Sequence, residues 1–360
     1  MLNYFDKGIK KCFLYPTQLC NLNCIMCYSG SHQNKIMLER EMSYTDYTKI
    51  IDVLYSYGVR TFDISGGEPL MRNDMCDIIK YIKKYNDTTV LLVTNGTLIH
   101  KMYSQLSGLN YIDRIYISMD SHNSEVHNKI RNSHNAFQDS LKGINALISN
   151  GYTNMGINFV VQKKNFIQID EFLDFAVEIG ARYIHLLRLI DVKKGNTESE
   201  SLQRKDYEQL IQKIISWTNN QTKDIELVFV LPGYFWAQSN QFRKQINRNN
   251  RVNITFEYDP LRGCSAFTKN IAITTTGNVT GCTAMVNYEE FHVGNIKDDE
   301  YSKLRKKWIN MRNLLDLRET KVHENETCQL CTDWNCCRGG CPVISYKNNC
   351  TFMLPDLSCD

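Results

Sequence analysis

Cys20, Cys24 and Cys27 stand in a C-x3-C-x2-C pattern. Three thiols in one short stretch suit a metal cluster that keeps one metal site open for a ligand. A single zinc ion normally wants four protein ligands, and His32 is the candidate to complete such a site here. Further on, Ser65-Gly66-Gly67-Glu68-Pro69 combines two glycines with one carboxylate. The glycines let backbone approach a ligand closely, and free amides with a carboxylate can hold a carboxylate and an ammonium together. Taken alone, the same run also reads as a tight turn. A second cysteine set begins at Cys264, passes Gly277 and Cys282, continues as Cys328-x2-Cys331-x5-Cys337-x3-Cys341, and ends at Cys359. Its spacing fits zinc knuckles and iron–sulfur clusters equally.

The elements that must position these residues follow from length and periodicity. At about 150 residues per domain, 360 residues give about two domains. A balance of 42 Lys+Arg against 39 Asp+Glu argues against a nucleic-acid or membrane surface. No signal-like N-terminus and no long apolar run are present, so a cytoplasmic, reducing setting is expected. There, fourteen cysteines read as metal ligands before disulfides.

Strand-like runs at 12–17, 61–65, 89–94, 111–118, 155–161 and 183–189 alternate with helical periodicity at 44–57, 74–85, 97–106, 136–150 and 167–179. Gly58, Gly151 and Gly180 sit where left-handed helix caps are wanted. The alternation predicts an α/β fold with a parallel sheet, and six units predict an open, partial (β/α)6 barrel rather than a closed one. Both the first cysteine loop and the Gly66-Gly67 turn leave C-terminal strand ends, the face where barrel enzymes place their chemistry. The expected organisation is a barrel core over 1–190, a linker and bridging region over 191–255, and a small cysteine-rich α+β domain over 256–360. Within these, a helix is expected at 202–217, a strand at 225–231, and a hairpin at 271–275 and 279–282 around Thr276-Gly277-Asn278.

The paired motifs resemble those of the radical S-adenosylmethionine (radical SAM) superfamily over about residues 12–190. The resemblance implies that Cys20, Cys24 and Cys27 hold a [4Fe–4S] cluster whose open iron chelates the methionine end of SAM. It implies that Gly66, Gly67 and Glu68 meet the amino group, and that Ser118 and Arg131 contact ribose and carboxylate, with His127 in the same segment. Thr94-Asn95-Gly96 and Ser118-Met119-Asp120 bring small polar groups to the same rim, and Leu187 is an adenine-contact candidate by position. One departure is Met26, where the superfamily usually has an aromatic residue.

The second cysteine set is similar to the SPASM extension of radical SAM maturases. That similarity implies one auxiliary [4Fe–4S] cluster on Cys328, Cys331, Cys337 and Cys359, and another on Cys264, Cys282 and Cys341, three clusters in all. The latter set is one thiolate short; the missing place is left open or filled by Asp259, His292 or a remaining cysteine. Cys350 is an alternative to Cys359, Cys336 is off register, and Cys12 and Cys76 read as small core hydrophobes.

The implied activity is that of an oxidoreductase. SAM is cleaved to a 5′-deoxyadenosyl radical, which takes hydrogen from a peptide. The expected outcome is maturation of a ribosomally made peptide (RiPP) by a thioether or C–C crosslink. An external flavodoxin- or ferredoxin-type reductant is implied. The first strand falls near residue 12, so a leader peptide is expected to need a separate binding partner. The alternatives are sulfatase maturation, disfavoured because Thr283 stands where that pattern has a basic Asp, a dehydrogenase of a small metabolite or tetrapyrrole, and a non-enzymatic iron–sulfur or zinc protein. Gly233-Tyr234-Phe235-Trp236 reads as a peptide wall or as core.

Overall fold

The computed structural model describes residues 8–31, 40–102, 111–190, 200–231, 251–256 and 264–356. Strands and helices alternate through the first half: β1 (Lys11–Leu14), α1 (Tyr44–Ser56), β2 (Thr61–Ile64), α2 (Met75–Ile82), β3 (Thr89–Thr94), α3 (Ile99–Met102) and β4 (Arg114–Ser118). There follow α4 (Ser124–Arg131), α5 (Ala136–Ser149), β5 (Met155–Val161), α6 (Ile169–Glu178) and β6 (Tyr183–Arg188). All six expected strands and all five expected helices are found, trimmed at their ends; residues 103–106 of one helix lie outside the described residues. Helix α4 escaped the periodicity because Val126 and Ile130 are its only aliphatic residues.

The second half contributes α7 (Arg204–Asn220), β7 (Ile225–Val230), β8 (Val252–Phe256), β9 (Asn270–Ile273), β10 (Asn278–Thr280) and β11 (Gly294–Asn295). It ends in the long α8 (Tyr301–His323) and the short α9 (Glu326–Gln329), α10 (Trp334–Cys337) and α11 (Pro342–Asn349). The expected hairpin is β9–β10, paired Ile273 to Val279 across a turn closed by the Gly277 N–H on the Thr274 carbonyl at 3.0 Å. Gly58, Gly151 and Gly180 all take positive φ, as their helix-ending positions require. No helix among the described residues is long and apolar enough to cross a membrane. The aromatic run at 233–236 lies outside the described residues.

Two compact units emerge. The first comprises Met1–Ser118, Arg131–Asn154 and Ser265–Leu314; the second comprises Met119–Ile130, Met155–Cys264 and Leu315–Asp360. Strands of the first unit are ordered β11-β10-β9-β1-β2-β3-β4. Strand β1 is parallel to both β2 and β9, with Leu14 opposite Ile64 on one side and Ile273 on the other. Flanked on both edges, it buries Cys12 and Leu14 completely, and burial pushes the Cys12 thiol far above its ordinary range. That thiol is a core methylene substitute, as its apolar setting predicts. Cys76, on α2, is half-buried instead.

In the second unit β5, β6, β7 and β8 run parallel in that order, and Leu187 sits in register between Val160 and Val230. The α/β class and the open parallel arrangement of strands follow the sequence reading.

Local signals fix the elements of the first unit. Ser43 and Asp46 form a reciprocal capping box at the start of α1. Trp308 of α8 is 1% exposed and meets Phe267 edge-on at 4.9 Å between ring centroids. Truncation of Trp308 to Ala should therefore cost about 3–5 kcal/mol in denaturant unfolding. The same truncation at the exposed Leu317 should cost within about 0.5 kcal/mol. Equal losses at both positions would contradict the packing described.

Candidate active site

Strand β1 delivers the chain into the loop that carries the first three cysteines. All three thiols are half-buried and each has a polar partner at its sulfur. The Leu22 N–H donates to Cys20 Sγ at 3.4 Å, and Asn95 Nδ2 approaches the same sulfur at 4.0 Å. Arg131 Nη1 donates to Cys24 Sγ at 3.8 Å, and Ser29 Oγ lies 3.3 Å from Cys27 Sγ. Donors aimed at sulfur favour thiolate over thiol and tune a cluster bound to it. Burial pushes the Cys20 thiol up to about 12, opposed by the Leu22 N–H and reinforced by Glu68, Cys24 and Cys27. Three thiolates beside a carboxylate therefore need a cationic centre among them, which fits the chemistry of an iron–sulfur cluster. No three His, Cys, Asp or Glu side chains among the described residues converge tightly enough to hold a single metal ion. His32 lies outside the described residues.

The Gly66–Glu68 turn is bonded directly onto the approach to this loop. The Gly67 N–H donates to the Thr17 carbonyl at 2.8 Å, and the Glu68 N–H to the Leu19 carbonyl at 2.6 Å. The approach leaves no room for a side chain: a Cβ on Gly67 would lie 2.0 Å from the Leu19 oxygen. Gly66 has φ +119°, and its Cβ would lie 2.8 Å from the Thr17 oxygen. Here glycine is required twice, once for close approach and once for backbone conformation.

Glu68 is 1% exposed. Its Oε1 accepts from Thr94 Oγ1 at 2.7 Å and from the Leu70 N–H at 3.1 Å, and its Oε2 accepts from the Asn95 N–H at 2.8 Å. Burial pushes its carboxyl up to about 6, held back by those donors and by Arg131. Asn95 in turn reaches the cysteine loop, its Nδ2 donating to Asn21 Oδ1 at 2.8 Å, while Asn21 Nδ2 donates to Thr97 Oγ1 at 2.8 Å. Asn21 was not foreseen, because nothing marks one polar residue between two cysteines as a brace.

Of the other expected contacts, Arg131 is buried and joins Cys24 and Glu68, whereas Ser118 is half-buried at the end of β4. His127 is fully buried in the second unit, where its Nδ1 accepts the Asp120 N–H at 3.2 Å, which puts the ring proton on Nε2. Asp120 is itself tied to β5 by the Val160 N–H at 3.0 Å. Leu187 is half-buried.

The second cysteine set is spread over both units. In the first unit Cys282 follows β10, close enough to act electrostatically on Tyr15 and Tyr28, whose hydroxyls are 2.8 Å apart. In the second unit Cys328 and Cys337 are buried and Cys331 is half-buried, with the Cys331 N–H donating to the Cys328 carbonyl at 3.3 Å. Cys341 caps α11; burial pushes its thiol up, opposed by Arg188 and by the N–H groups of Ile344 and Val343. Cys264 is half-buried, and Cys350 is exposed at the left-handed end of α11. His292 Nε2 lies 3.0 Å from the Val286 oxygen. Cys359 and Asp259 lie outside the described residues.

Glu68 yields a signed pH effect. Its folded value of about 6 exceeds the ordinary 4.5, so its contribution to stability is full below that ordinary value and is lost as pH rises through the folded one. The loss amounts to about 2 kcal/mol. Urea unfolding of ligand-free protein over about pH 4 to 8 should show wild type losing that much relative to Glu68→Gln. A pH-independent difference would contradict it.

Residues 14–176 match the model of the radical SAM superfamily, and residues 264–333 match that of SPASM, an iron–sulfur cluster-binding domain. Over 345 residues the chain is 27% identical to the AdoMet-dependent heme synthase of Methanosarcina barkeri, covering 94% of this chain and 93% of that protein. Over 234 residues it is 27% identical to a probable GTP 3',8-cyclase of Saccharolobus islandicus, covering 64% of this chain and 74% of that one. Among solved structures, SuiB of Streptococcus suis matches with a TM-score of 0.75 at 18% identity, over 98% of this chain and 78% of SuiB. Native anSMEcpe, with bound AdoMet and the Cp18Cys peptide, matches with a TM-score of 0.64 at 18% identity, over 93% of this chain and 89% of that one. The two domain models match separate stretches of the chain, and SuiB shares its fold. The chain carries a radical SAM domain and a SPASM domain.

Proposed function

We propose that this chain is a radical SAM peptide maturase that introduces an oxidative crosslink, thioether or C–C, into a ribosomally made peptide. The observation that carries the radical half is the seam between the cysteine loop and the Gly66–Glu68 turn, which unites three donor-flanked sulfurs with one buried carboxylate. Cys20, Cys24 and Cys27 would hold the first cluster, and further clusters would sit on the SPASM cysteines. When bound, cluster and SAM supply an electron and a 5′-deoxyadenosyl radical able to take hydrogen from an unactivated carbon.

The protein's own work is placement. Glu68, already fixed by Thr94, Leu70 and Asn95, offers its carboxylate to the ammonium of SAM. Gly66 and Gly67 let the turn that carries Glu68 seat directly against the cysteine loop, and Arg131 brings a positive charge beside the sulfur of Cys24. The peptide half is supported by SuiB, whose complex with the precursor peptide SuiA matches this chain with a TM-score of 0.71 over 98% of its length. Sulfatase maturation is disfavoured by Thr283, which opens the turn after Cys282 with a hydroxyl that is no general base at neutral pH. A second reading, a tetrapyrrole-modifying enzyme, is favoured by the 27% identity to a heme synthase over 94% of this chain.

Anaerobic incubation with SAM, a reductant and peptides encoded beside this gene tests the proposal. Formation of 5′-deoxyadenosine with a loss of two hydrogens from a peptide is expected. Turnover of SAM with no peptide altered, and a tetrapyrrole altered instead, would establish the second reading. Glu68→Gln should weaken SAM binding about 10- to 100-fold at neutral pH. Wild-type affinity should fall as pH drops through the Glu68 value of about 6, because the neutral acid no longer attracts the ammonium. Unchanged affinity in both measurements would remove Glu68 from the site.

A further inference from the structure

The second unit holds a buried ion pair that none of the chemistry above uses. Arg188, the last residue of β6, forks onto Asp356, Nη1 donating to Oδ2 at 2.7 Å and Nη2 to Oδ1 at 3.1 Å. The Asp356 side chain is 0% exposed and that of Arg188 is 14% exposed. Asp356 has further partners: its Oδ2 accepts the Cys341 N–H at 2.8 Å, and its own N–H donates to the Gly339 carbonyl at 2.9 Å. One carboxylate thus ties together the end of β6, the turn between Cys337 and Cys341, and the segment that runs on toward Cys359.

The turn is built around that carboxylate. Gly339 and Gly340 have φ of +76° and +70°, and a Cβ on Gly340 would lie 2.5 Å from Asp356 Oδ2. Arg318, 2% exposed, braces the same turn with Nη2 donating to the Gly339 and Leu354 carbonyls at 2.7 and 3.0 Å. Arg188 is also near enough to act electrostatically on the Cys341 thiol. An apolar pair of equal size would commonly serve stability as well as a buried ion pair, so geometry and charge are what this pair adds. Groups behind a metal ligand set both its orientation and the electronic properties of the centre.

We propose that Arg188 and Asp356 are positioning residues for an auxiliary iron–sulfur cluster ligated by Cys341, the carboxylate fixing that residue's backbone and the guanidinium held on the carboxylate supplying a permanent positive charge within electrostatic reach. This rests on the reading of Cys341 as a cluster ligand. A positive charge there stabilises the reduced, more negative cluster and so raises its reduction potential. The pair also joins this cysteine to the strand carrying Leu187, so β6 and the turn before Cys341 are tied together within the second unit.

The test uses the full-length chain carrying Cys20→Ala, Cys24→Ala and Cys27→Ala, reconstituted anaerobically, so that only auxiliary clusters report. Iron and sulfide content, resistance to a chelator, EPR spectra and potentiometric titration are compared before and after substitution of the pair. Arg188→Met should let about 10-fold less chelator strip the iron and should lower the midpoint potential of what remains. Arg188→Lys, which restores charge without the fork, should recover the potential. Wild-type iron retention and potential in Arg188→Met would overturn the proposal while leaving the ligand reading intact. Should Arg188→Met fail to fold, Asp356→Asn decides on the same readings: weakened retention supports the proposal and wild-type retention overturns it. Auxiliary iron bound as firmly after Cys341→Ser as before would overturn the ligand reading and the proposal with it.

Discussion

The pair of backbone hydrogen bonds from Gly67 and Glu68 to Thr17 and Leu19 is the constraint on which the site depends. Each is worth only about 0.5–1.5 kcal/mol, yet together they decide where two loops from adjacent strands meet. A strand pair sets the loops to within a residue, and the bonds remove the remaining freedom. The contact at Gly67 is so close that no other residue type is compatible with it. Everything nearby inherits its position from this seam: Glu68 turns inward to Thr94 and Asn95, Asn95 reaches Asn21, and Asn21 sits between the first two cysteines. A chain of small polar residues thereby transmits the register of β2 and β3 to the sulfurs.

Charge is the complementary theme. Two carboxylates, four thiols and two guanidinium groups occupy surroundings where isolated charges are costly. In the first unit Arg131 stands between Cys24 and Glu68; in the second Arg188 stands by Cys341 and Asp356. Both arrangements place a permanently charged cation next to a sulfur and a carboxylate. With a neutral thiol such a triad is already balanced, and an anionic sulfur adds a negative charge that a bound cationic centre would offset.

Much of this was legible beforehand, for reasons that lie in sequence distance. The alternation of strands and helices, the cysteine spacing and the Gly-Gly-Glu-Pro run are local patterns, readable within a few residues of themselves. The rim residues Thr94 and Asn95 could be placed because they end a strand. What could not be read were partners remote in the chain. Arg188 and Asp356 are 168 positions apart, and each alone looks like a solvated surface charge. Asn21 gives no signal until Asn95 is seen beside it. Helix α8 stayed hidden because its lysines and arginines interrupt any clear apolar stripe.

The place of β1 has a consequence for how the molecule comes into being. Lys11 pairs with Asn270, so during synthesis β1 waits for a strand made about 260 residues later. Closing so large a loop is slow, and until then one edge of β1 is an open row of unpaired amides. The cysteine loop at the end of that strand consequently reaches its final support only after β9 has been made. A product truncated before β9 would present these three cysteines on an unfinished sheet.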